Sequence, residues 1–93
     1  MTINFKLPFS RFVISEDSML PTYKSGDHVL TSNWFGPKVG DVIVFRSGNI
    51  YKIKRVVKTS VGSFFVAGDN KELSSKEGSV KKKNVVGKVI LKY

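Results

Sequence analysis

Three kinds of residue in this chain have the chemistry of a hydrolytic site: a serine set between turns, a lone histidine, and lysines on an apolar strand. Ser18 lies in "ISEDSMLPTYKSGD" (Ile14–Asp27), just before a Pro-Thr turn and a second turn at Ser25-Gly26-Asp27. A serine hydroxyl is a weak nucleophile and needs a neighbouring base to take its proton. The usual base is histidine backed by a carboxylate. The single histidine, His28, sits in an alternating strand pattern ten residues on and reads as a surface or half-buried strand residue. With no cysteine, the chain has no thiol nucleophile, disulfide or thiolate zinc site, and one histidine cannot build a histidine metal cluster. No metal or organic cofactor is expected.

The other base known to serve serine is lysine. An ordinary lysine is protonated at neutral pH and cannot act as one. Burial among apolar groups favours the neutral amine. A drop of three pKa units costs about 4 kcal/mol, which a small fold must offset by packing. The strand-like run "IYKIKRVV" (Ile50–Val57) supplies the candidates. Its alternation sends Lys52, Lys54 and Val56 to one face and Tyr51, Ile53 and Arg55 to the other. Lys54 has the most apolar setting of any lysine here, whereas Lys52, nearer a turn, should be more exposed. The competing reading is a surface strand whose lysines protect an edge.

These residues must be positioned by strands. "RFVIS" (Arg11–Ser15), "DHVLT" (Asp27–Thr31), "DVIVFR" (Asp41–Arg46), "IYKIKRVV", "SFFVA" (Ser63–Ala67) and "NVVGKVILKY" (Asn84–Tyr93) are β-rich and bounded by turn residues. "SGN" (Ser47–Asn49) reads as a hairpin turn, and Gly87 as a bulge or a point of close packing. Helical periodicity is absent apart from one turn beginning at Asp17 or Ser18. "KELSSKEGSVKKK" (Lys71–Lys83) reads as a polar, mobile loop. Six short strands in one domain, residues 1–93, predict an all-β fold: a small, mostly antiparallel sheet or partly open barrel.

Charge is unevenly spread. The net +9 comes from 16 Lys and Arg against 7 Asp and Glu. Residues 1–46 carry +1 and residues 47–93 carry +8. The basic half suits an anionic partner or is simply a solvated lysine-rich surface. Arginine and aromatic residues are not interleaved as in common nucleic-acid modules, so no nucleic acid is expected. The longest apolar runs are four residues, far short of the about 18 of a membrane span, and the N-terminus lacks a signal-peptide core. A soluble chain is expected, cytoplasmic or peripheral at a membrane. "FKLPFSRFVI" (Phe5–Ile14) suits membrane-surface contact, although packing as the first strand is the favoured reading.

Several motifs occur here in a family's order: "SMLPT" (Ser18–Thr22), "GD" (Gly26-Asp27), "GDVIVF" (Gly40–Phe45), "IKRVV" (Ile53–Val57), "GDN" (Gly68–Asn70) and "VVGKV" (Val85–Val89). From Arg11 to the C-terminus the chain resembles type I signal peptidases, of peptidase family S26. It is similar to their minimal soluble relatives, such as nickel superoxide dismutase maturation proteases. The resemblance implies a Ser/Lys-dyad endopeptidase on a mostly antiparallel β-fold like that of SOS-repressor C-terminal domains. Ser18 would be the nucleophile, its backbone N–H an oxyanion donor, and Lys54 the general base. Met19 would line the site, Asp69 would shape the turn near the lysine, and Ser74 would hydrogen-bond the amine. Plain turn chemistry would also choose Asp69.

The chain departs from the family at two places. Glu16 stands where some members use a hydroxyl as a second oxyanion donor, and an ionised carboxylate cannot donate. The Asp-Ser-Arg segment that follows the Gly-Asp-Asn turn in the family, with its ion pair, is missing. The expected activity is cleavage of an extended signal peptide or pro-segment after small residues, with a peptide or preprotein as partner. Two alternatives stand beside it. One is a self-cleaving domain of the SOS-repressor type, disfavoured because Ala67-Gly68 lies in the turn motif. The other is a catalytically silent β-module that binds acidic partners.

Overall fold

Residues 8–34, 36–72 and 78–93 are described by the computed structural model. Seven strands account for most of them: β1 (Phe9–Val13), β2 (His28–Ser32), β3 (Val42–Ser47), β4 (Ile50–Ser60), β5 (Ser63–Ala67), β6 (Gly78–Lys81) and β7 (Val85–Lys92). They form one open antiparallel sheet in the order β1-β2-β7-β3-β4-β5-β6. The all-β expectation therefore holds. No helix among the described residues is long and apolar enough to cross a membrane.

The run "VIVF" explains the centre of the sheet. An unbroken apolar strand must be buried on both faces, and β3 divides its side chains between two cores. Val42 and Val44 join Ile14, Met19, Val29 and Ile53 in the first core. Ile43 and Phe45 join Val56, Phe64, Val66 and Val80 in the second. β4 is split the same way, Ile53 to one core and Val56 to the other, as its alternation required. The β3–β4 hairpin closes through Gly48-Asn49, with Ser47 opposite Ile50. Gly48 has φ +62° at the first central position, where a mirror-image turn favours glycine.

Two expectations need correction. β1 runs Phe9–Val13 rather than Arg11–Ser15: its ladder with β2 already begins at Phe9 opposite Ser32, and it ends at Val13 because Ile14 leaves the ladder and exchanges backbone hydrogen bonds with Asp27 and Gly26, both 2.8 Å. The segment Lys71–Lys83 is not all loop. Gly78–Lys81 form β6 against β5, and Lys82–Asn84 form a 3-10 turn. One apolar side chain in that polar stretch, Val80, is enough to dock it on the second core, and its lysines suit an edge strand. Residues 1–7 of the N-terminal segment fall outside the described residues.

Gly87 fills both expected roles. β7 bulges there, with Gly87 opposite Val44 and Val85 opposite Phe45. A Cβ at Gly87 would lie 2.7 Å from the Ser32 carbonyl oxygen. Gly87→Ala should therefore force β2 and β7 apart and destabilise the protein by about 2 kcal/mol, read as a lower midpoint in urea unfolding. An unchanged midpoint would mean that β2 yields without cost.

Candidate active site

Ser18 is carried on a turn between Ile14 and β2. The turn closes through Leu20 N–H to the Asp17 carbonyl (3.2 Å) and Tyr23 N–H to the Met19 carbonyl (3.0 Å). It is a turn and not a helix, much as the pattern suggested. Met19 points inward and is fully buried in the first core, where Ile53 of β4 also packs. One cluster of side chains thus holds the residue after Ser18 and the residue before Lys54.

The turn Gly68-Asp69-Asn70 clamps this arrangement. Asn70 N–H donates to the Ser18 carbonyl (2.8 Å), and Asn70 Nδ2 donates to the Asp17 carbonyl (2.9 Å). Asp69 N–H reaches the Met19 sulfur at 3.4 Å. The Asp69 carboxylate accepts from Arg55 Nε (2.8 Å) and Nη2 (2.7 Å), and from Thr22 Oγ1 (2.6 Å). Arg55 also donates through Nη1 to the Gly40 carbonyl (2.6 Å). The two-pronged bond from Arg55 is the largest influence holding Asp69 below the usual carboxylate range; burial opposes it and Thr22 assists. The same bond raises the Arg55 guanidinium above its already high value. Asp69 does more than plain turn chemistry requires: its carboxylate ties the Ser18 turn to β4.

Ser18 itself is 8% exposed, and its Oγ is buried with no hydrogen-bond partner among the described residues. A buried hydroxyl left unpaired costs about 1–3 kcal/mol, and such an atom in a folded protein calls for an explanation. A turn serine normally spends its oxygen on nearby backbone, and Ser18 makes no such bond to the described residues.

Lys54 lies on β4 opposite Ile43 and is partly buried. Burial lowers its pKa from the ordinary lysine value, the Glu16 carboxylate pushes it back up, and Lys52 lowers it. Lys52, expected to be more exposed, is partly buried as well. Glu16 is exposed, two residues before Ser18, and acts on Lys54 through its charge. His28 is exposed at the start of β2, its ring 5.4 Å from that of Tyr93. Ser74 lies outside the described residues.

Beside Lys54 runs an open edge. The β4–β5 ladder begins at Arg55, so Ile50–Lys54 pair with β3 on one side and with no described strand on the other. A small cavity of about 50 Å3 lies there, between Phe12, Ile14 and Glu16 on one wall and Tyr51 and Ile53 on the other.

Reading the sequence missed Arg55 and Thr22. Both stand inside motifs quoted above, but their shared partner is Asp69, 14 and 47 residues away. Reciprocity among a threonine, an arginine and an aspartate in three separate motifs was the available signal. The missing Asp-Ser-Arg segment does not leave Arg55 without an ion pair, because Asp69 supplies one.

A family model described as Peptidase S24-like matches residues 11–90. No curated protein matches the chain. The match lies with the broader S24-like group and not specifically with the signal peptidases that the motifs resemble.

Asp69→Asn should remove a stabilising pair of about 1–2 kcal/mol at neutral pH. A carboxylate held below its unfolded value stabilises fully above that value, near 4, and loses the contribution as pH falls through the lower folded pKa. Urea unfolding from pH 7 down to pH 2 should show a steeper acid loss in the wild type than in Asp69→Asn.

Proposed function

Because the chain belongs to the Peptidase S24-like family, we propose that it is a serine endopeptidase with Ser18 as nucleophile and Lys54 as general base. The observation that carries this reading is the Ser18 hydroxyl, buried and without a hydrogen-bond partner among the described residues, on a turn that shares a core with the strand of a partly desolvated lysine. Neutral Lys54 takes the Ser18 proton as Oγ attacks the scissile carbonyl. The ammonium then gives that proton to the leaving amine as the C–N bond breaks. Lys54, neutral again, activates a water that hydrolyses the acyl-enzyme. The Ser18 backbone N–H donates to the developing oxyanion. Glu16, as a carboxylate, provides no second donor.

The substrate enters as an extended strand. The edge of Ile50–Lys54 that pairs with no described strand offers it a ladder, and the Phe12–Glu16 segment flanks it. The small cavity between them accepts a side chain of about alanine size, which supports cleavage after small residues, as in the signal peptidases that the motifs resemble.

Cleavage within the chain itself is a second reading, favoured by the same family match. The bond Ala67–Gly68 is poorly placed for it. Ala67 is held opposite Arg55 in the β4–β5 ladder, and the next residue, Asp69, is clamped. Cleavage of another polypeptide requires no such strand to be released.

Peptides carrying Ala-X-Ala should be cut by the wild type, and Ser18→Ala and Lys54→Met should each lower the rate about a thousandfold or more. The rate should rise with pH as Lys54 loses its proton, with a midpoint below that of ordinary lysine. Glu16→Gln removes the charge that favours the ammonium, so it should move the midpoint toward lower pH. Folded protein that cuts none of the peptides would instead favour the silent binding module. Wild type that converts itself at a concentration-independent rate, while sparing peptides, would favour self-cleavage.

A further inference from the structure

At the turn end of the β3–β4 hairpin, three basic residues line a concavity of about 470 Å3: Arg46 of β3, Lys81 of β6 and Lys83 of the 3-10 turn. Ser47, Ser79 and Asn84 add hydroxyl and amide groups to its wall, and no acidic residue among the described residues lines it. Phe45 and Val80, both buried in the second core, form a firm floor. None of the three cations has a carboxylate partner among the described residues. Arg46 is oriented by its Nε, which donates to the Gly48 carbonyl at 3.1 Å. Its two terminal nitrogens therefore remain available for a planar, two-pronged acceptor. Like charges gathered around a concavity repel one another until an anion enters.

The position of this basic concavity narrows the choice of anion. Arg46 is the ladder partner of Tyr51, and Phe45 that of Lys52. Tyr51 and Lys52 line the substrate groove. Paired residues lie about 5 Å apart, so groove and concavity adjoin across one hairpin. An extended chain advances about 3.3 Å per residue. A peptide leaving the groove therefore reaches the cations within about five residues. Stacking of nucleic-acid bases needs exposed aromatic faces, and the one aromatic residue here, Phe45, is buried in the floor. A flat membrane surface would meet the rim and not the recessed floor.

We propose that this concavity is a second substrate-binding site, which takes an acidic segment adjoining the cleaved stretch of the same polypeptide. The proposal rests on the endopeptidase reading. It gives a role to Lys81 and Lys83 of the basic C-terminal half and to Arg46 just before it, none of which the chemistry at Ser18 uses.

The test uses the full chain and Ala-X-Ala peptides with a Glu-Asp-Glu extension at the N-terminal end, at the C-terminal end, or at neither. One extension should lower KM about fivefold to tenfold in low salt, with kcat unchanged and the gain fading as salt rises. The triple variant Arg46→Gln/Lys81→Gln/Lys83→Gln should lose that gain and cleave the plain peptide as the wild type does. Fluorescence anisotropy on Ser18→Ala measures the same preference without catalysis, so the proposal can succeed or fail whether or not the chain is a protease. Equal binding of all three peptides, or a preference that survives in the triple variant, would overturn it. So would preferential binding of a single-stranded oligonucleotide or of phosphatidylglycerol vesicles that the triple substitution abolishes.

Discussion

Asp69 gathers three parts of the chain that are remote in sequence. Its carboxylate receives Arg55 from β4 and Thr22 from the Ser18 turn, and its backbone N–H meets the sulfur of Met19. Arg55 extends the connection to Gly40, at the approach to β3. The guanidinium and the carboxylate are only partly exposed, so solvent screens their attraction less than it would on an open surface. Without this clamp the Ser18 turn would rest on the packing of Met19 and its own backbone bonds. With it, the turn and β4 behave as one rigid unit, as a site whose atoms must stay within a fraction of an ångström requires.

That rigidity holds two unfavourable features in place. Ser18 Oγ is buried without a partner among the described residues, and Lys54 is partly desolvated. Each costs folding free energy, in a chain too short to have much to spare. The two cores that share β3 supply the offset. Met19, Val29, Ile43 and Val56 are almost wholly buried, and they lie directly beneath or beside the elements that carry the unfavourable groups. Such local costs cluster where a protein does chemistry.

Electrostatics divide the molecule in a way that composition only outlined. Near Ser18 the charges act in opposition: Glu16 favours the Lys54 ammonium, and Lys52 disfavours it. Arg55 is neutralised by Asp69. Toward the turn end of the β3–β4 hairpin, Arg46, Lys81 and Lys83 have no carboxylate partner among the described residues. Catalysis needs a base that titrates within reach of working pH, so its surroundings must be balanced. Recruitment of an anion gains from an unbalanced field.

Much of the fold was legible because strand signals are local. Alternation in "IYKIKRVV", the unbroken "VIVF" and the glycines at turns act over a few residues, and they placed β2, β3, β4, β5 and β7 to within a residue or so at each start. β6 was not legible, since Val80 alone marks it and the ladder it joins is set by β5. The candidate roles of Ser18 and Lys54 came from residue type and motif. The sequence by itself determined an all-β domain, the available chemistry and the sign of its charge. Tertiary structure decided which aspartate meets which arginine, that Ser18 Oγ is buried, and which basic residues line one concavity. Those outcomes depend on contacts between residues tens of positions apart, and no local pattern encodes a distance across a folded sheet.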